Sequence, residues 1–216
     1  SNPYFSLSLP RLFLLAVIST TISGILVIIN NWNFLMIKPS KLNLEDKPEV
    51  AILIPTYNEP IKIVLNTLKS VTNQEWPKNK RVIIISDDGY NENLKKTIEK
   101  FKGDNQEKEI IYHTPHKKGH PLRYGDAKAG NLNSALNLIM REYPNIEYIE
   151  TRDSDDLVGS KYFLSYCLNT LVNDSELSFV QTIKQCRVGK NDPFCNQESI
   201  FYQRMIPSRY SANAVF

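Results

Sequence analysis

The chain has 216 residues, of which 42% are hydrophobic and 23% are charged, and its formal net charge is +3. This composition is typical of one folded domain with a short appendage and argues against a disordered or collagen-like chain. The lysines are scattered and form no stripe, so we expect no nucleic-acid partner. Three cysteines without CxxC spacing argue against a zinc ribbon and a disulfide framework.

The first predicted element is a transmembrane helix within the N-terminal segment, residues 1–38. Leu12–Ile29 carries no charged side chain and is long enough to cross a bilayer, and an uncharged continuation with Trp32 at the interface extends the predicted span to about 12–37. Arg11 precedes this helix and Lys38, Lys41 and Lys47 follow it, and this excess of positive charge after the helix predicts a cell-membrane protein whose remaining chain is cytoplasmic. A cleaved signal peptide and a buried core helix are the alternatives, although no A-x-A-like cleavage site follows the segment.

Strands and helices alternate beyond residues 39–49, which we interpret as a linker. Short apolar runs predict strands at Val50–Pro55, Arg81–Ser86, Glu109–His113, Ile146–Ile149 and Ser178–Thr182. Helical spacing of apolar residues predicts helices after Pro60, over Leu94–Phe101, over Leu132–Ile139 and over Tyr162–Val172. This alternation predicts an α/β fold with a mostly parallel, Rossmann-like sheet and flanking helices.

Acidic and polar residues follow three of these strands. The segments are Thr56-Tyr57-Asn58-Glu59, Asp87-Asp88-Gly89 and Asp153-Ser154-Asp155-Asp156. In a parallel sheet, ligands bind beyond the carboxyl ends of the strands. We therefore predict that the three segments meet at one edge of the sheet and form a binding site there.

Asp153 and Asp155 are the predicted metal ligands. In a turn that leaves a strand, both carboxylates can reach one cation, and Mg²⁺ or Mn²⁺ takes oxygen ligands from one or two carboxylates and from substrate phosphates. Such a cation stabilises the charge on a departing nucleoside diphosphate. The alternative is turn and capping chemistry, in which Ser154 or Asp156 begins the next helix, and we interpret Asp156 as such a cap.

Three other polar segments can be interpreted either as parts of a binding site or as ordinary turns and solvated surface residues. Asp87 and Asp88 can accept hydrogen bonds from a base or ribose, or they belong to a common DG turn. Lys128 stands at a predicted helix start, where it can bind phosphate together with free amides, or it is a solvated lysine. Three histidines lie within His113–His120, but no cysteine or carboxylate completes a tetrahedral site, so we predict a solvated loop.

Taken in order, five motifs resemble the catalytic domain of glycosyltransferase family 2, and within it the cellulose synthase type. They are Pro55-Thr-Tyr-Asn-Glu-Pro60, Ser86-Asp-Asp-Gly89, Lys128-Ala-Gly-Asn-Leu-Asn-Ser-Ala-Leu136, Asp153-Ser-Asp155 and Val180-Gln-Thr182. The resemblance implies a GT-A fold over residues 50–216, a UDP-sugar donor, Mg²⁺ or Mn²⁺, and inversion at the anomeric carbon. It also implies a polysaccharide or lipid acceptor at the cytoplasmic membrane face, and it leaves partner subunits open.

The resemblance assigns roles motif by motif. Thr56, Tyr57 and Glu59 would line a uridine pocket, Asp87 or Asp88 would contact uracil or ribose, and Lys128 would meet the diphosphate. Asp153 and Asp155 would hold the nucleotide and metal, and Gln181 and Thr182 would lie near the donor sugar or the acceptor.

The chain also departs from the family pattern. Asp126 and Asp156 stand where the family often has histidine, and the TED and QxxRW motifs are absent. We therefore expect the general base beyond Phe216 and an incomplete C-terminal part of the domain; without that base the acceptor hydroxyl lacks a proton acceptor. The alternative function is a non-catalytic nucleotide-sugar-binding or scaffold module. A nucleotidyltransferase would need a glycine-rich phosphate loop, which Thr56–Pro60 lacks.

Overall fold

The computed structural model describes residues 3–30, 40–41, 47–105, 109–182 and 184. The described residues between 40 and 178 form one compact unit. The described residues before and after that range belong to a second unit.

Helix α1 spans Pro3–Asn30. Within it, Leu9–Ile29 is long and apolar enough to cross a membrane, and none of that stretch is buried. The hydroxyls of Thr20 and Thr21 donate to carbonyls four residues back at 2.8 Å, so these polar groups are satisfied inside the helix. The predicted apolar helix is confirmed, and its predicted continuation over residues 31–37 lies outside the described residues.

Four parallel strands form a sheet in the order β3-β2-β1-β4. The strands are β1 (Val50–Thr56), β2 (Arg81–Asp87), β3 (Ile110–His113) and β4 (Tyr148–Thr151). The register places Thr56 beside Asp87 at the ends of β1 and β2. The chain winds from β1 to β3 on one side and then places β4 on the other side of β1. This reversal creates a switch point, the place where open α/β sheets bind ligands.

Four helices cover the two faces of the sheet. They are α2 (Ile61–Thr72), α3 (Glu92–Asn105), α4 (Ala127–Glu142) and α5 (Phe163–Asn173). Alternate strand residues point to opposite faces. Ile52 and Ile54 therefore pack with α2, α3 and α5, whereas Ala51 and Leu53 pack with α4. The predicted α/β architecture is confirmed.

The structure corrects two local predictions. Residues 178–182 are irregular, so the predicted strand Ser178–Thr182 is wrong. The side chain of Phe179 is 75% exposed, so the apolar residue that suggested a strand is not packed against a sheet. Helix α5 begins at Phe163 after an N-cap at Tyr162, so neither Ser154 nor Asp156 caps it.

His113 lies at the end of β3 and is half-buried, unlike the exposed His116 and His120. Its Nε2 lies 2.8 Å from Ser134 Oγ on α4. Burial lowers the pKa of His113, and the charges of Arg141 and His116 lower it further. The predicted solvated loop is therefore confirmed for the later histidines and wrong for His113.

Acidification should destabilise the fold in part through His113. The unfolded residue takes up a proton near its ordinary pKa of about 6.5, whereas the folded residue does so only at lower pH. The stability that neutral His113 contributes is therefore fully present above about pH 6.5, and it is lost as the pH falls from there through the lower pKa of the folded residue. Thermal unfolding of the detergent-solubilised protein should show a flatter pH dependence between about pH 7.5 and 5.5 for His113→Gln.

His120→Gln is the matched control, because His120 is exposed. It should retain the pH dependence of the wild-type protein. A His113→Gln curve parallel to the wild-type curve would contradict the proposed role of burial.

Candidate functional site

The turn after β1 is closed by Glu59. Thr56 Oγ1 donates to Glu59 Oε2 at 2.5 Å, and the backbone N–H of Tyr57 donates to the same oxygen. Asn58, between them, has a left-handed φ of 61°. The ring of Tyr57 is 65% exposed at the edge of the sheet. Thr56 and Glu59 thus shape the turn, and Tyr57 is the residue whose ring is presented to solvent.

Asp87 organises the turn after β2. Its side chain is buried, and its carboxylate accepts hydrogen bonds from the backbone N–H groups of Gly89 and Asn91 at 2.8 and 2.7 Å. The hydroxyl of Tyr112 donates to it at 2.6 Å. Burial, together with this bond to Asp87, raises the pKa of Tyr112. Asp87 is therefore engaged by protein groups on both of its oxygens.

Asp88 forms a bidentate ion pair with Arg123. Both guanidinium NH groups lie 2.7 Å from the two carboxylate oxygens, and the side chains are 3% exposed for Arg123 and 15% exposed for Asp88. Arg123 also donates to the carbonyls of His116 and Ala127 at 2.6 and 3.1 Å. The hydrogen bond with Asp88 raises the pKa of Arg123. Sequence analysis missed Arg123, although a lone arginine just before the lysine motif was a usable signal.

The first turns of α4 pack against the ends of the strands through a glycine, Gly130, and an asparagine, Asn131. A Cβ on Gly130 would lie 2.2 Å from the Gly125 carbonyl and 2.7 Å from Arg123 Nε, so only glycine fits there. Asn131 is buried, and its Nδ2 donates to the carbonyls of Ser86 and Thr56 at 2.8 and 3.4 Å. Gly130 and Asn131 therefore join α4 to the carboxyl edge of the sheet.

The acidic segment after β4 forms a turn. The backbone N–H of Arg152 donates to the Leu53 carbonyl at 2.9 Å, and the N–H of Asp156 donates to the Asp153 carbonyl at 3.0 Å. Carboxylate oxygens of Asp153, Asp155 and Asp156 lie within 4.8 Å of one another. Asp156 thus belongs to the acidic cluster and not to a helix cap. An all-oxygen donor set of this kind fits Mg²⁺ or Mn²⁺.

Lys128 and the acidic turn are brought together by the fold. Lys128 Nζ forms an ion pair with Asp153 Oδ1, and the two side chains are partly exposed. Helix α4 has Asp126 at its N-cap position, and the side chain of Asp126 does not cap the helix. The Lys128 ammonium, carried by the first turn of α4, therefore lies beside the acidic turn.

Gln181 and Thr182 are exposed in an irregular segment. They belong to a different compact unit from the residues at the sheet edge. Their role near the donor sugar or the acceptor stays a prediction.

Replacing Gly130 with alanine should destabilise the protein, although alanine is the better helix former by about 1 kcal/mol. The added Cβ would displace the Gly125 carbonyl and the Arg123 side chain. We expect a loss of about 1–3 kcal/mol in the free energy of unfolding, measured by chemical denaturation.

Gly103→Ala in α3 is the matched control, since a Cβ at Gly103 would meet nothing within 4 Å. It should stabilise the protein by about 0.5–1 kcal/mol. If both alanine variants were stabilised, the close approach at Gly130 would be wrong.

Comparison with known proteins agrees with this geometry. Residues 51–213 match the sequence profile of the family described as Glycosyl transferase family 2. The chain is 31% identical over 142 residues to the cellulose synthase catalytic subunit (UDP-forming) of Pseudomonas fluorescens, covering 66% of this chain and 17% of that protein. The probable glycosyltransferase YdaM of Bacillus subtilis is 26% identical over 166 residues, covering 76% of this chain and 36% of that protein.

One solved structure has a fold similar to that of this chain. The mannosyltransferase PcManGT from Pyrobaculum calidifontis, in complex with GDP-Man and Mn²⁺, superposes with a TM-score of 0.53 at 16% identity, covering 72% of this chain and 43% of that one. This likeness shows the GT-A-like fold. The chain thus spans only part of the relatives it matches, 17% in the case of the Pseudomonas protein. With more than half of its residues matching the family profile, the chain belongs to glycosyl transferase family 2.

Proposed function

We propose that this chain carries the donor-binding part of an inverting glycosyltransferase that transfers a sugar from a UDP-sugar to a polysaccharide or lipid acceptor. The observation that carries the proposal is the meeting of the acidic turn Asp153–Asp156 with Lys128 at the switch point of the sheet. The name of the Pseudomonas relative, a UDP-forming cellulose synthase subunit, supports UDP as the nucleotide.

Asp153 and Asp155 would hold Mg²⁺ or Mn²⁺, with the Asp156 carboxylate close by. When bound, the metal supplies positive charge that stabilises the UDP leaving group. The mannosyltransferase of similar fold was solved in complex with GDP-Man and Mn²⁺, which supports a metal-dependent nucleotide sugar as the ligand here.

Lys128 would bind the diphosphate. Its ammonium lies beside Asp153, and the N-terminal amides of α4 point toward the same edge of the sheet. Amides and a cation at a helix N-terminus bind phosphate together. Lys128 would therefore stabilise negative charge on the leaving UDP from the side of α4.

The uridine would lie at the ends of β1 and β2. The exposed ring of Tyr57 can pack against a base, whereas Thr56, Glu59 and Asp87 hold the two turns in shape. Asp88 would contact uracil or ribose while sharing its carboxylate with Arg123. Gln181 and Thr182 would lie near the donor sugar or the acceptor.

Helix α1 would anchor the protein in the cell membrane. Its length and composition suit a single span. The excess of lysine after it favours a cytoplasmic donor site, which is the side on which UDP-sugars would be met.

Charge-neutral replacement of the proposed ligands should remove metal-dependent nucleotide binding. In isothermal titration of the complete protein with UDP and Mn²⁺, Asp153→Asn and Asp155→Asn should each weaken binding by more than about tenfold, because each removes an anionic oxygen ligand and loss of even an outer group of a metal site costs about 10–100-fold. Asp104→Asn, an exposed change on α3, should bind like the wild type.

The metal assignment would be refuted if the wild-type protein bound UDP equally well with and without Mn²⁺, or if the aspartate variants bound UDP and Mn²⁺ with unchanged affinity.

A screen of UDP-sugars for UDP release by the complete protein distinguishes a glycosyltransferase from a non-catalytic nucleotide-sugar-binding module. An enzyme releases UDP from at least one donor. Tight binding without release from any donor would instead support a non-catalytic nucleotide-sugar-binding module.

A further inference from the structure

The segment after the acidic turn runs along α2. Ser70 Oγ accepts a hydrogen bond from the N–H of Val158 at 3.0 Å, and the N–H of Glu75 donates to the Lys161 carbonyl at 2.7 Å. The chain thus returns from the carboxyl edge of the sheet beside Ser70 on α2 and then beside Glu75, three residues after the end of α2. These two hydrogen bonds hold the residues after the acidic turn, at Val158 and Lys161, in place.

One contact from α2 reaches into the acidic turn itself. Thr67 is fully buried, and its Oγ1 donates to the carbonyl of Ser154 at 2.7 Å. Ser154 is also buried and stands between Asp153 and Asp155. Its carbonyl belongs to the peptide unit that leads into Asp155. A hydrogen bond to this carbonyl therefore sets the orientation of the peptide plane from which the Asp155 side chain departs.

The start of the turn is held separately. The backbone of Arg152 bonds to β1, and its guanidinium pairs with Glu150, both side chains being largely buried. The bond between Asp156 and Asp153 closes the turn but leaves the middle peptide to rotate. The Thr67 hydroxyl binds this middle peptide.

We propose that Thr67 is a positioning residue for metal-dependent donor binding, acting by fixing the peptide between Ser154 and Asp155. The inference rests on the proposed function, since it assumes that Asp153 and Asp155 hold the metal. Thr67 is fully buried and would act on the metal only through this peptide. It sets the geometry in which the two carboxylates face one cation, and outer groups of this kind tune metal affinity.

The test measures Mn²⁺ affinity in the complete protein saturated with UDP, from the electron paramagnetic resonance signal of free Mn²⁺. Thr67→Val keeps the shape of the side chain but leaves the Ser154 carbonyl buried without its donor. Loss of this outer contact should weaken Mn²⁺ binding about tenfold. Thr67→Ser restores a hydroxyl and should return affinity to within about twofold of wild type. Thermal unfolding without metal monitors stability in each variant.

Ser70→Ala is the matched control, because it removes another hydroxyl of α2 that binds the same segment outside the turn. It should lower the unfolding temperature and leave Mn²⁺ affinity unchanged. The inference is overturned by wild-type affinity in Thr67→Val, by no rescue in Thr67→Ser, or by an equal loss in Ser70→Ala. Should Thr67→Val not fold, Thr67→Ala removes the same donor and is judged by the same criteria.

Asp153→Asn in the same assay separates the two proposals. If this variant binds Mn²⁺ normally, the metal site itself is wrong. If it loses Mn²⁺ while Thr67→Val keeps it, the metal site stands and only the role of Thr67 fails.

Discussion

The edge of this sheet depends on the hydrogen bonding of buried backbone groups. Parallel strands end in peptides that no longer have a neighbouring strand to bind, and a buried peptide group without a partner is costly. Here side chains from nearby elements supply the partners. Asn131 binds the carbonyls of Thr56 and Ser86, and Asp87 binds amides of the turn that follows β2. The turns at the edge can therefore hold defined shapes without regular secondary structure.

This constraint divides the motif residues into two groups. Glu59, Asp87, Gly130 and Asn131 build the edge, because their polar groups or their lack of a side chain are used by the protein itself. The side chains of Tyr57, Lys128 and Asp155, in contrast, are exposed. A residue type that looks catalytic in sequence can thus be structural, as the buried carboxylate of Asp87 shows.

The repeating part of the fold could be read from the sequence. Continuous apolar runs predicted β1 and β2 almost to the residue, and β4 began two residues later than predicted, at Tyr148. The common edge of the acidic segments followed from the rule for parallel sheets. The predicted strand Ser178–Thr182 was wrong because a short run with two apolar residues, Phe179 and Val180, does not by itself specify a partner strand.

The side-chain partnerships of the site could not be read in the same way. Asp88 and Arg123 are 35 residues apart, and the loop that joins them has no periodic pattern from which to predict a contact. Asp156 was misread because aspartate suits a turn as well as a cap, and local propensity does not choose between them.

The bond between Thr67 and Ser154 joins residues 87 positions apart in the chain. Contacts of such separation are slow to form, because the loop between them must close first. The first three strands precede the acidic turn in the chain, and the turn follows β4, which pairs with β1. We therefore expect the carboxylates of Asp153, Asp155 and Asp156 to converge at a late stage of folding.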